Sequence, residues 1–423
     1  MTDAAPAETT AVPLLEPSDG VPAVVESAAQ LSDVVAAMRA GHGPVAVDAE
    51  RASGYRYGQR AYLVQLRRAG AGTALVDPIA CPDLAELNTA LADAEWVLHA
   101  ASQDLPCLAE VGLRPSLLFD TELAGRLAGH PRVGLGPLVE SILGLTLKKG
   151  HAAADWSTRP LPAAWLRYAA LDVEVLVELR DALAEDLRRQ HKLTWAREEF
   201  AVLAAAAPSP QRVDPWRRTS GLHRVRRPRQ LAVVRSLWET RDQLARERDV
   251  APGRVLPDAA IVEAAQAMPA TSEELAALSV YGGRSTRRHL RVWHGAVERA
   301  RHLPEKALPP VSPPVDGPPP TRGWAERDQA AAARLVAARA AVATVADEHD
   351  VPAENLLAPD AVRRLAWSPP IPATPDSVAE ALTTYGARAW QVQLTAALLA
   401  EALTGLADAA ETDADGAGGR ATP

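Results

Sequence analysis

The stretch that decides the fold is VAVDAERASGYRYGQRAYLVQL, residues 45–66. It contains two short runs of β-forming residues on either side of a turn-rich segment, and two carboxylates, Asp48 and Glu50, stand at the end of the first run. Side chains two residues apart on a strand project to the same side, so both acids face one way. A D-x-E pair alone is weak evidence for a site, because most such pairs lie at a solvated strand end. Its significance depends on the rest of the chain.

Four β-type runs open the first part of the chain and indicate a sheet. Helical patterns separate the third run from the fourth and follow the fourth, and one long helix is predicted from about Pro162 to Arg189. Three strands joined by short connections, followed by a helical crossover to a fourth strand, predict an α/β domain with a mixed sheet. The four runs cover residues 44–50, 61–68, 73–78 and 95–100.

Length and composition limit the class of protein. With 423 residues, of which 48% are hydrophobic and 23% charged, the chain suits two or three globular domains. Two cysteines, Cys81 and Cys107, provide neither a disulfide framework nor a zinc-binding pattern, which favours a reducing compartment. The first residues do not resemble a secretory signal, and no stretch is long and apolar enough to span a bilayer. We therefore expect a soluble, cytoplasmic protein.

Positive charge is concentrated in two segments, although the net charge is −8. Residues 212–229 carry seven arginines against one aspartate, and residues 281–291 add four arginines without an acid. Such clusters attract phosphate, and the alternative is an ordinary solvated basic surface. The second segment supplies three candidate contacts with nucleic acid, namely Arg284, Arg287 and Arg288.

After the α/β part the chain is almost entirely helical and contains a duplicated module. The clearest repeated pair is RDVAPGRVLPDAAI at 248–261 and HDVPAENLLAPDAV at 349–362, and two further pairs follow in the same order. Eight prolines between residues 304 and 320 predict a stiff, extended linker between the copies. The predicted divisions are a disordered N-terminus at 1–20, an α/β domain at 21–207, a basic connector at 208–227, a first helical domain at 228–302, a proline-rich linker at 303–324, a second helical domain at 325–404 and a disordered acidic tail at 405–423.

Three further polar residues give the acidic pair a chemical context. Asp104, in WVLHAASQDLPCL, follows the fourth run and is expected in the first turn of the next helix. Tyr168 and Asp172, in LRYAALDVEVL, are four residues apart and therefore share one helix face. A strand end thus supplies two carboxylates, a helix start supplies the third, and one helix face supplies the fourth together with the phenol.

In these residues the chain resembles the tyrosine-bearing branch of the DEDD superfamily of 3′-to-5′ exonucleases, and within it the ribonuclease D family. The motifs that carry the resemblance are VAVDAE with LVQL, HAASQDL and YAALDVEVL, and the similarity extends from about residue 22 to residue 400. Both helical blocks resemble the helicase-and-RNase-D C-terminal (HRDC) domain. The resemblance implies a ribonuclease-H-like α/β exonuclease domain with a mixed sheet, followed by two all-α HRDC-like domains.

The resemblance also implies a metal-dependent 3′-to-5′ exoribonuclease that releases nucleoside 5′-monophosphates from RNA with a free 3′ end, such as tRNA precursors. Asp48 would bridge two divalent cations, Mg²⁺ or Mn²⁺, and Glu50 and Asp172 would complete one of the two sites. Asp104 would hold the second cation, partly through water, and Tyr168 would orient the attacking water. Hard cations of this kind prefer oxygen ligands. Neither a membrane nor a protein partner is implied.

Two residues and two alternative functions remain open at this point. The family usually has a phenylalanine after the acidic pair, whereas this chain has Arg51, a candidate for contact with phosphate instead. Gln65, on the second run, is either a core amide or a contact with RNA. A non-catalytic RNA-binding scaffold would be expected to lack one of the acids, and none is missing. A DNA-directed exonuclease is disfavoured because no polymerase region follows and the helical pair does.

Overall fold

The computed structural model describes residues 11–148, 150–207, 212–312 and 317–417, without the side chains of residues 284, 285 and 405–417. The first part of the chain is built on a six-stranded mixed sheet and a small two-stranded sheet. The strands are β1 (Val12–Leu14), β2 (Val24–Val25), β3 (His42–Arg51), β4 (Ala61–Ala69), β5 (Gly72–Val76), β6 (Glu95–Leu98), β7 (Leu117–Asp120) and β8 (Leu145–Leu147). The order of the large sheet is β2-β5-β4-β3-β6-β7, and β1 pairs with β8.

Strand β3 lies near the centre of the large sheet. It pairs antiparallel with β4 over most of its length, which joins the two runs of the opening stretch, and parallel with β6. The parallel pairing covers Val45 and Ala46 and has therefore ended before Asp48. Beyond this pairing the chain that follows β6 is not hydrogen-bonded to β3 as a strand, so it can leave space beside the acidic end of β3. The predicted mixed sheet is confirmed, and β3 to β6 coincide with the four predicted runs.

The helices of the first part surround this sheet. Helix α6 contacts β3, β4 and β5, whereas α7 contacts β3 and β6. The helices are α1 (Ala28–Ala40), α2 (Ala85–Ala90), α3 (Leu105–Glu110), α4 (Thr121–Leu127), α5 (Leu135–Leu138), α6 (Ala163–Glu174), α7 (Leu176–Arg189) and α8 (Leu193–Ala204).

The prediction of one long helix from Pro162 to Arg189 is wrong. The segment forms α6 and α7, which are separated at the buried residue Val175, where φ is −101° and ψ is −4°. Both helices contact β3, and the break allows α6 to extend over β4 and β5 and α7 over β6. Apolar spacing continues through Val175 because both helices bury a face, and for this reason the sequence pattern does not reveal the break.

Parts of both predicted disordered ends form regular secondary structure. Within 1–20, residues 11–20 are described: they include β1, and Ser18 Oγ donates a hydrogen bond of 2.6 Å to Glu174 Oε1. Asp19 forms an ion pair of 2.8 Å with Arg67, so partners in the α/β part offset the low hydrophobicity of this segment. At the other end, the last helix continues through the alanine-rich residues 405–417, because alanine favours helix. Residues 1–10 and 418–423 lie outside the described residues.

The two helical blocks repeat the same succession of elements. Each has a long helix, a four-residue helix and a helix of nine or ten residues in that order, as the repeated sequence predicts. The first block contains α9 (Pro228–Arg248), α10 (Pro252–Val255), α11 (Asp258–Ala267), α12 (Ser272–Ala276), α13 (Arg284–Arg288) and α14 (Leu290–Arg301). The second contains α15 (Trp324–Arg327), α16 (Gln329–Glu348), α17 (Ala353–Leu356), α18 (Pro359–Trp367), α19 (Pro375–Thr384) and α20 (Ala389–Ala417). In the parts of the chain that the structure describes, no helix has the length and apolar character needed to cross a membrane.

The second helical block shares a hydrophobic core with the α/β part. One continuous cluster of buried residues extends from Val25 to Leu403 and includes both. At the junction the rings of Trp195 and Trp390 stack with their centroids 5.0 Å apart and their planes at 10°. Glu199 accepts a hydrogen bond of 3.1 Å from the indole of Trp390 and forms an ion pair of 3.1 Å with Arg388. The two parts are therefore packed as one unit.

The first helical block has a core of its own and contacts the α/β part through the loop between β3 and β4. The backbone N–H of Ala251 donates to the Tyr55 carbonyl at 2.9 Å, and Arg254 Nε donates to the Gly54 carbonyl at 2.7 Å. The Tyr57 hydroxyl donates to Asp242 Oδ1 at 2.9 Å. This loop begins directly after the acidic end of β3, so the first helical block holds the chain next to the acids.

The first half of the predicted extended linker lies against the first helical block. Arg217 donates to the Pro310 carbonyl at 2.9 Å, and Arg235 donates to the Ala307 carbonyl at 3.2 Å. Near the other end Trp324 is buried, and its indole donates to the Pro319 carbonyl at 2.9 Å. The proline-rich segment is thus anchored by contacts on both sides of residues 313–316, which lie outside the described residues.

Candidate active site

A cleft of about 800 Å³ opens at the end of β3. All four predicted acids and Tyr168 line it. Strand β3 supplies Asp48 and Glu50, whose side chains project to the same side because they are two residues apart. Helix α6 supplies Tyr168 and Asp172 from one face. The structure thus brings together the residues that the sequence places on three separate elements.

Three of the four acids form a tight cluster. One carboxylate oxygen from each of Asp48, Glu50 and Asp172 can be chosen so that all three lie within 4.8 Å of one another. Glu50 is only 7% exposed. Asp48 and Asp172 are half-buried, and like charges this close in a partly desolvated site repel unless a proton or a cation compensates them. The cluster is therefore a candidate for cation binding.

The pKa values of these acids are raised above those of ordinary carboxyl groups. Burial, with repulsion from Asp48 and Asp172 as the next causes, raises the pKa of Glu50 to about 10. Burial also raises the pKa of Asp172 well above its ordinary value, with repulsion from Asp48 adding to it. For Asp48, burial raises the pKa against the opposing effects of a backbone hydrogen bond and Arg51. Deprotonated carboxylates are thus disfavoured here without a cation.

Asp104 lies in the cleft beside the three-acid cluster. It separates a short 3₁₀ turn (Ala101–Gln103) from helix α3, close to the predicted helix start. Burial raises its pKa to about 8, and repulsion from Asp48 contributes. Its Oδ1 atom lies 3.4 Å from Nη2 of Arg51. Asp104 therefore interacts electrostatically both with the three-acid cluster and with the guanidinium of Arg51.

Tyr168 combines a phenol with the acidic cluster. Its pKa is raised by burial first and by the charges of Asp172 and Glu50 next, and a hydrogen bond with Asp172 acts in the same direction. The phenol therefore stays protonated at neutral pH. A protonated phenol can donate a hydrogen bond or hold a water molecule, but it is a poor general base because the phenolate that would accept a proton is not populated at neutral pH.

A buried acid that the sequence did not single out, Asp120, holds the turn that carries Asp104. Its carboxylate accepts hydrogen bonds from the backbone N–H groups of Ala100 and Ala101, at 3.1 and 2.9 Å. It also caps helix α4 by accepting from Glu122 and Leu123. An aspartate before Thr-Glu-Leu is a typical helix start, so the cap could have been found in the sequence. The hydrogen bonds of Asp120 with Ala100 and Ala101 could not have been found in this way, because they join segments that are distant in the sequence.

Arg51 and Gln65, the two candidate RNA contacts in the α/β part, lie in different environments. Arg51 lines the cleft, and 27% of its side chain is exposed. Gln65 is fully buried, and neither of its amide atoms has a hydrogen-bond partner among the described residues. It lies opposite Asp48 in the β3–β4 pairing. Of the two interpretations of Gln65, a core amide or a contact with RNA, its complete burial fits the core position, although its amide has no hydrogen-bond partner among the described residues.

The predicted basic contacts lie on the first helical block. Arg287 and Arg288 are exposed on α13, and the side chain of Arg284 lies outside the described residues. Nη1 of Arg248 donates a hydrogen bond of 2.9 Å to Nε2 of the His289 ring. Burial lowers the pKa of His289, and the charges of Arg248 and Arg288 lower it further. The end of this block therefore presents closely spaced positive charges.

Comparison with known proteins places these elements in a family. A family model described as 3′-5′ exonuclease matches residues 22–188, an HRDC domain model matches 230–297, and a model described as 3′ to 5′ exonuclease C-terminal domain matches 317–403. Ribonuclease D of Gluconacetobacter diazotrophicus is 33% identical over 359 residues, which cover 82% of this chain and 87% of that protein. The chain belongs to the ribonuclease D family.

Solved structures agree with this membership. A crystal structure of a protein from Bifidobacterium adolescentis is 38% identical, with a TM-score of 0.86, and the match covers 93% of this chain and all of that one. The structure of Escherichia coli RNase D, described as an exoribonuclease involved in structured RNA processing, is 27% identical, with a TM-score of 0.66 and coverage of 92% and 98%. The predicted fold class, an exonuclease domain followed by two helical domains, is confirmed.

As a member of this family the chain is a hydrolytic 3′-to-5′ exoribonuclease, which confirms the predicted activity. The family implies divalent metal ions, and the residues present fit such ions. Asp48, Glu50 and Asp172 offer hard oxygen donors in one cluster, in which Glu50 is buried and both aspartates are half-buried. Desolvation and mutual repulsion raise the pKa values of Glu50 and Asp172, so the site favours a compensating positive charge. The second helical domain matches a family model of its own, distinct from the HRDC model that matches the first.

Proposed function

We propose that the chain trims the 3′ ends of structured RNA such as tRNA precursors, releasing nucleoside 5′-monophosphates with the help of two divalent cations, Mg²⁺ or Mn²⁺. The cluster of three carboxylates within 4.8 Å at the cleft carries this proposal. The involvement of its E. coli relative in structured RNA processing supports the substrate class. The cytoplasmic location expected from the sequence belongs to the same proposal, and two unpaired buried cysteines agree with it.

The positions of the site residues in the cleft support the following roles. Asp48, Glu50 and Asp172 would hold the first cation, and Asp48 together with Asp104 would hold the second. When bound, such cations supply a hydroxide at neutral pH and stabilise the leaving oxygen. Tyr168, protonated and hydrogen-bonded to Asp172, would hold the attacking water in position. Asp120 is a positioning residue, since it fixes the turn that carries Asp104.

A labelled substrate tests the proposed function directly. An RNA labelled at its 5′ end and carrying a 3′ overhang, and the DNA of the same sequence, are incubated with Mg²⁺, Mn²⁺ or a chelator. We expect a ladder that shortens from the 3′ end of the RNA and forms only with a cation. Equal shortening of the DNA would favour a DNA-directed exonuclease, and binding without shortening would favour the non-catalytic scaffold.

Replacing Tyr168 by phenylalanine should leave weak activity. We expect kcat to fall roughly 10- to 100-fold, the range seen when a group next to a metal ligand is removed. The affinity for Mn²⁺ should change little, because the hydroxyl is not a proposed ligand. Tyr385→Phe in the second helical domain, far along the chain from the cleft, serves as the control. A Tyr168→Phe protein with unchanged kcat would contradict the water-orienting role.

The arginines of helix α13 should hold RNA. Replacing Arg284, Arg287 and Arg288 by alanine should weaken RNA binding and flatten its salt dependence. Each lost phosphate contact lowers the slope of log affinity against log salt concentration by about 0.7 for single strands. Hydrolysis of a short substrate at saturation should hardly change, because the acids of the cleft are untouched.

A second triple variant with the same loss of positive charge, placed elsewhere on the protein, shows how much of the effect is due to net charge alone. Arg188, Arg189 and Arg197 are exposed on helices α7 and α8, away from the first helical domain. Replacing these three by alanine removes the same net charge, and we expect a smaller change of the salt slope. Equal slopes for the two triple variants would mean that the arginines of α13 are an ordinary solvated surface.

A further inference from the structure

Arg51 and Asp104 form an ion pair inside the cleft. Nη2 of Arg51 lies 3.4 Å from Oδ1 of Asp104, and the side chain of Asp104 is only 9% exposed. Both residues line the cleft together with the three-acid cluster. The pairing register between β3 and β4 shifts between Glu50 and Arg51. This irregularity lies where the strand leaves the acids, and Arg51 directs its charge at the fourth acid.

The four acids are consequently not equivalent. Asp48, Glu50 and Asp172 approach one another closely enough to share one cation, whereas Asp104 is not a member of that cluster. In the structure Asp104 has the guanidinium of Arg51 as its cationic partner. A second divalent cation held by Asp48 and Asp104 would lie close to this guanidinium, and the two positive charges would repel each other. The guanidinium and the second cation therefore compete for Asp104.

Arg51 has an alternative partner once RNA is bound. Guanidinium groups bind phosphate through two parallel hydrogen bonds, more strongly than a single contact at 3.4 Å with a carboxylate oxygen. The side chain is partly exposed to the cleft, so it can change partner while the backbone stays in place. Asp104 would then exchange an arginine for a cation, and Arg51 would exchange a carboxylate for a phosphate.

We propose that Arg51 controls occupancy of the second cation site: it pairs with Asp104 while RNA is absent and moves to an RNA phosphate when Asp104 takes the second cation. This inference rests on the proposed two-cation site. It couples the second cation to RNA, so each should raise the affinity of the other by the same factor. Arg51 is thus a specificity residue for substrates that bring a phosphate to this side of the cleft.

Binding of Mn²⁺ to the full chain tests the proposal without measuring hydrolysis. Titration of free Mn²⁺ by electron paramagnetic resonance gives the number and affinity of bound ions for the wild type and for Arg51→Gln. We expect the wild type to bind one ion tightly and a second one weakly. Arg51→Gln should bind the second ion about tenfold more tightly, a change that corresponds to about 1.4 kcal/mol.

A second arm adds adenosine 5′-monophosphate as a phosphate probe. In the wild type the nucleotide should tighten the second Mn²⁺ site about tenfold, and in Arg51→Gln it should tighten that site less, because the competition has already been removed. Arg60→Gln serves as the control, since Arg60 pairs at 3.8 Å with Asp249 and does not line the cleft. It should bind Mn²⁺ as the wild type does.

Different failures can be distinguished. Equal affinity for the second Mn²⁺ ion in the wild type and Arg51→Gln, or equal effects of the nucleotide on both, would overturn the role of Arg51. Asp48→Asn reports on the site itself, because it removes an acid that both proposed cation sites share. If the wild type and Asp48→Asn bind Mn²⁺ alike, the proposed two-cation site fails, and the inference about Arg51 fails with it.

Discussion

Asp48→Asn and Asp172→Asn proteins are expected to lose hydrolysis of RNA while still binding it. Each substitution replaces a charged oxygen donor of the three-acid cluster by a neutral amide and leaves the arginines of the first helical domain in place. Loss of a group beside a metal ligand costs up to about 100-fold, so loss of a ligand should lower kcat by more than that. Single-turnover cleavage and RNA binding measured by fluorescence anisotropy separate the two effects.

The control for this pair removes a carboxylate elsewhere on the same domain. Asp181 is exposed on helix α7 and pairs with Arg180 at 2.7 Å. Asp181→Asn should keep the activity of the wild type. Full activity in Asp48→Asn would show that the acids of β3 are not the cation site, and simultaneous loss of RNA binding would point to damage of the fold.

The second large effect concerns stability. Two unit charges 4 Å apart repel by about 4 kcal/mol at an effective dielectric constant near 20, before proton uptake or relaxation reduces the value. Without a divalent cation, Asp48→Asn should therefore raise the thermal midpoint of unfolding, by about 2–4 °C for each kcal/mol that is relieved. Mn²⁺ should stabilise the wild type more than the variant, because it binds the folded wild type better.

Thermal scans of both proteins with a chelator and with Mn²⁺ measure this directly. Asp181→Asn again serves as the control and should respond to Mn²⁺ like the wild type. Equal stabilisation of the wild type and Asp48→Asn by Mn²⁺ would rule out Asp48 as a ligand.

The raised pKa values give the same prediction a pH dependence. In the folded chain without a divalent cation the pKa of Asp104 is about 8 and that of Glu50 about 10, above the value of about 4 for unfolded carboxyl groups. Between about pH 4 and these raised values the folded state therefore binds more protons than the unfolded state. Stability should fall as pH rises over this range, and the contributions of Asp104 and Glu50 should level off above about pH 8 and pH 10 respectively. Stabilisation by Mn²⁺ should increase as pH rises, because the cation needs deprotonated ligands.

The local part of the site could be predicted from the sequence. Asp48 and Glu50 share a side because strand periodicity is two, and Tyr168 and Asp172 share a face because they are four apart on a helix. Neither inference needs a distant residue. The strand runs are equally local, since β-forming residues bounded by turns mark them, and β3 to β6 were found for this reason.

What could not be predicted depends on contacts between distant segments. The ion pair of Arg51 with Asp104 joins a strand end to a helix start, and the bonds of Asp120 to Ala100 and Ala101 join two strand ends. The burial of Gln65 depends on the sheet and helices that cover it, so its polar side chain alone does not reveal whether it lies in the core or at the surface. The break at Val175 is set by packing on the sheet, which the apolar pattern does not encode.

The core shared by the exonuclease domain and the second helical domain affects synthesis of the chain. Apart from Tyr57 of the loop after β3, the cluster of the first helical domain uses residues between Trp216 and Leu308, so it can close as soon as that segment has left the ribosome. The exonuclease cluster includes Leu399 and Leu403 and stays incomplete until almost the whole chain has emerged. Domains commonly fold in order from the N-terminus during translation. We therefore expect the middle domain to be able to finish first, while the exonuclease domain keeps part of its apolar surface uncovered until helix α20 has been made.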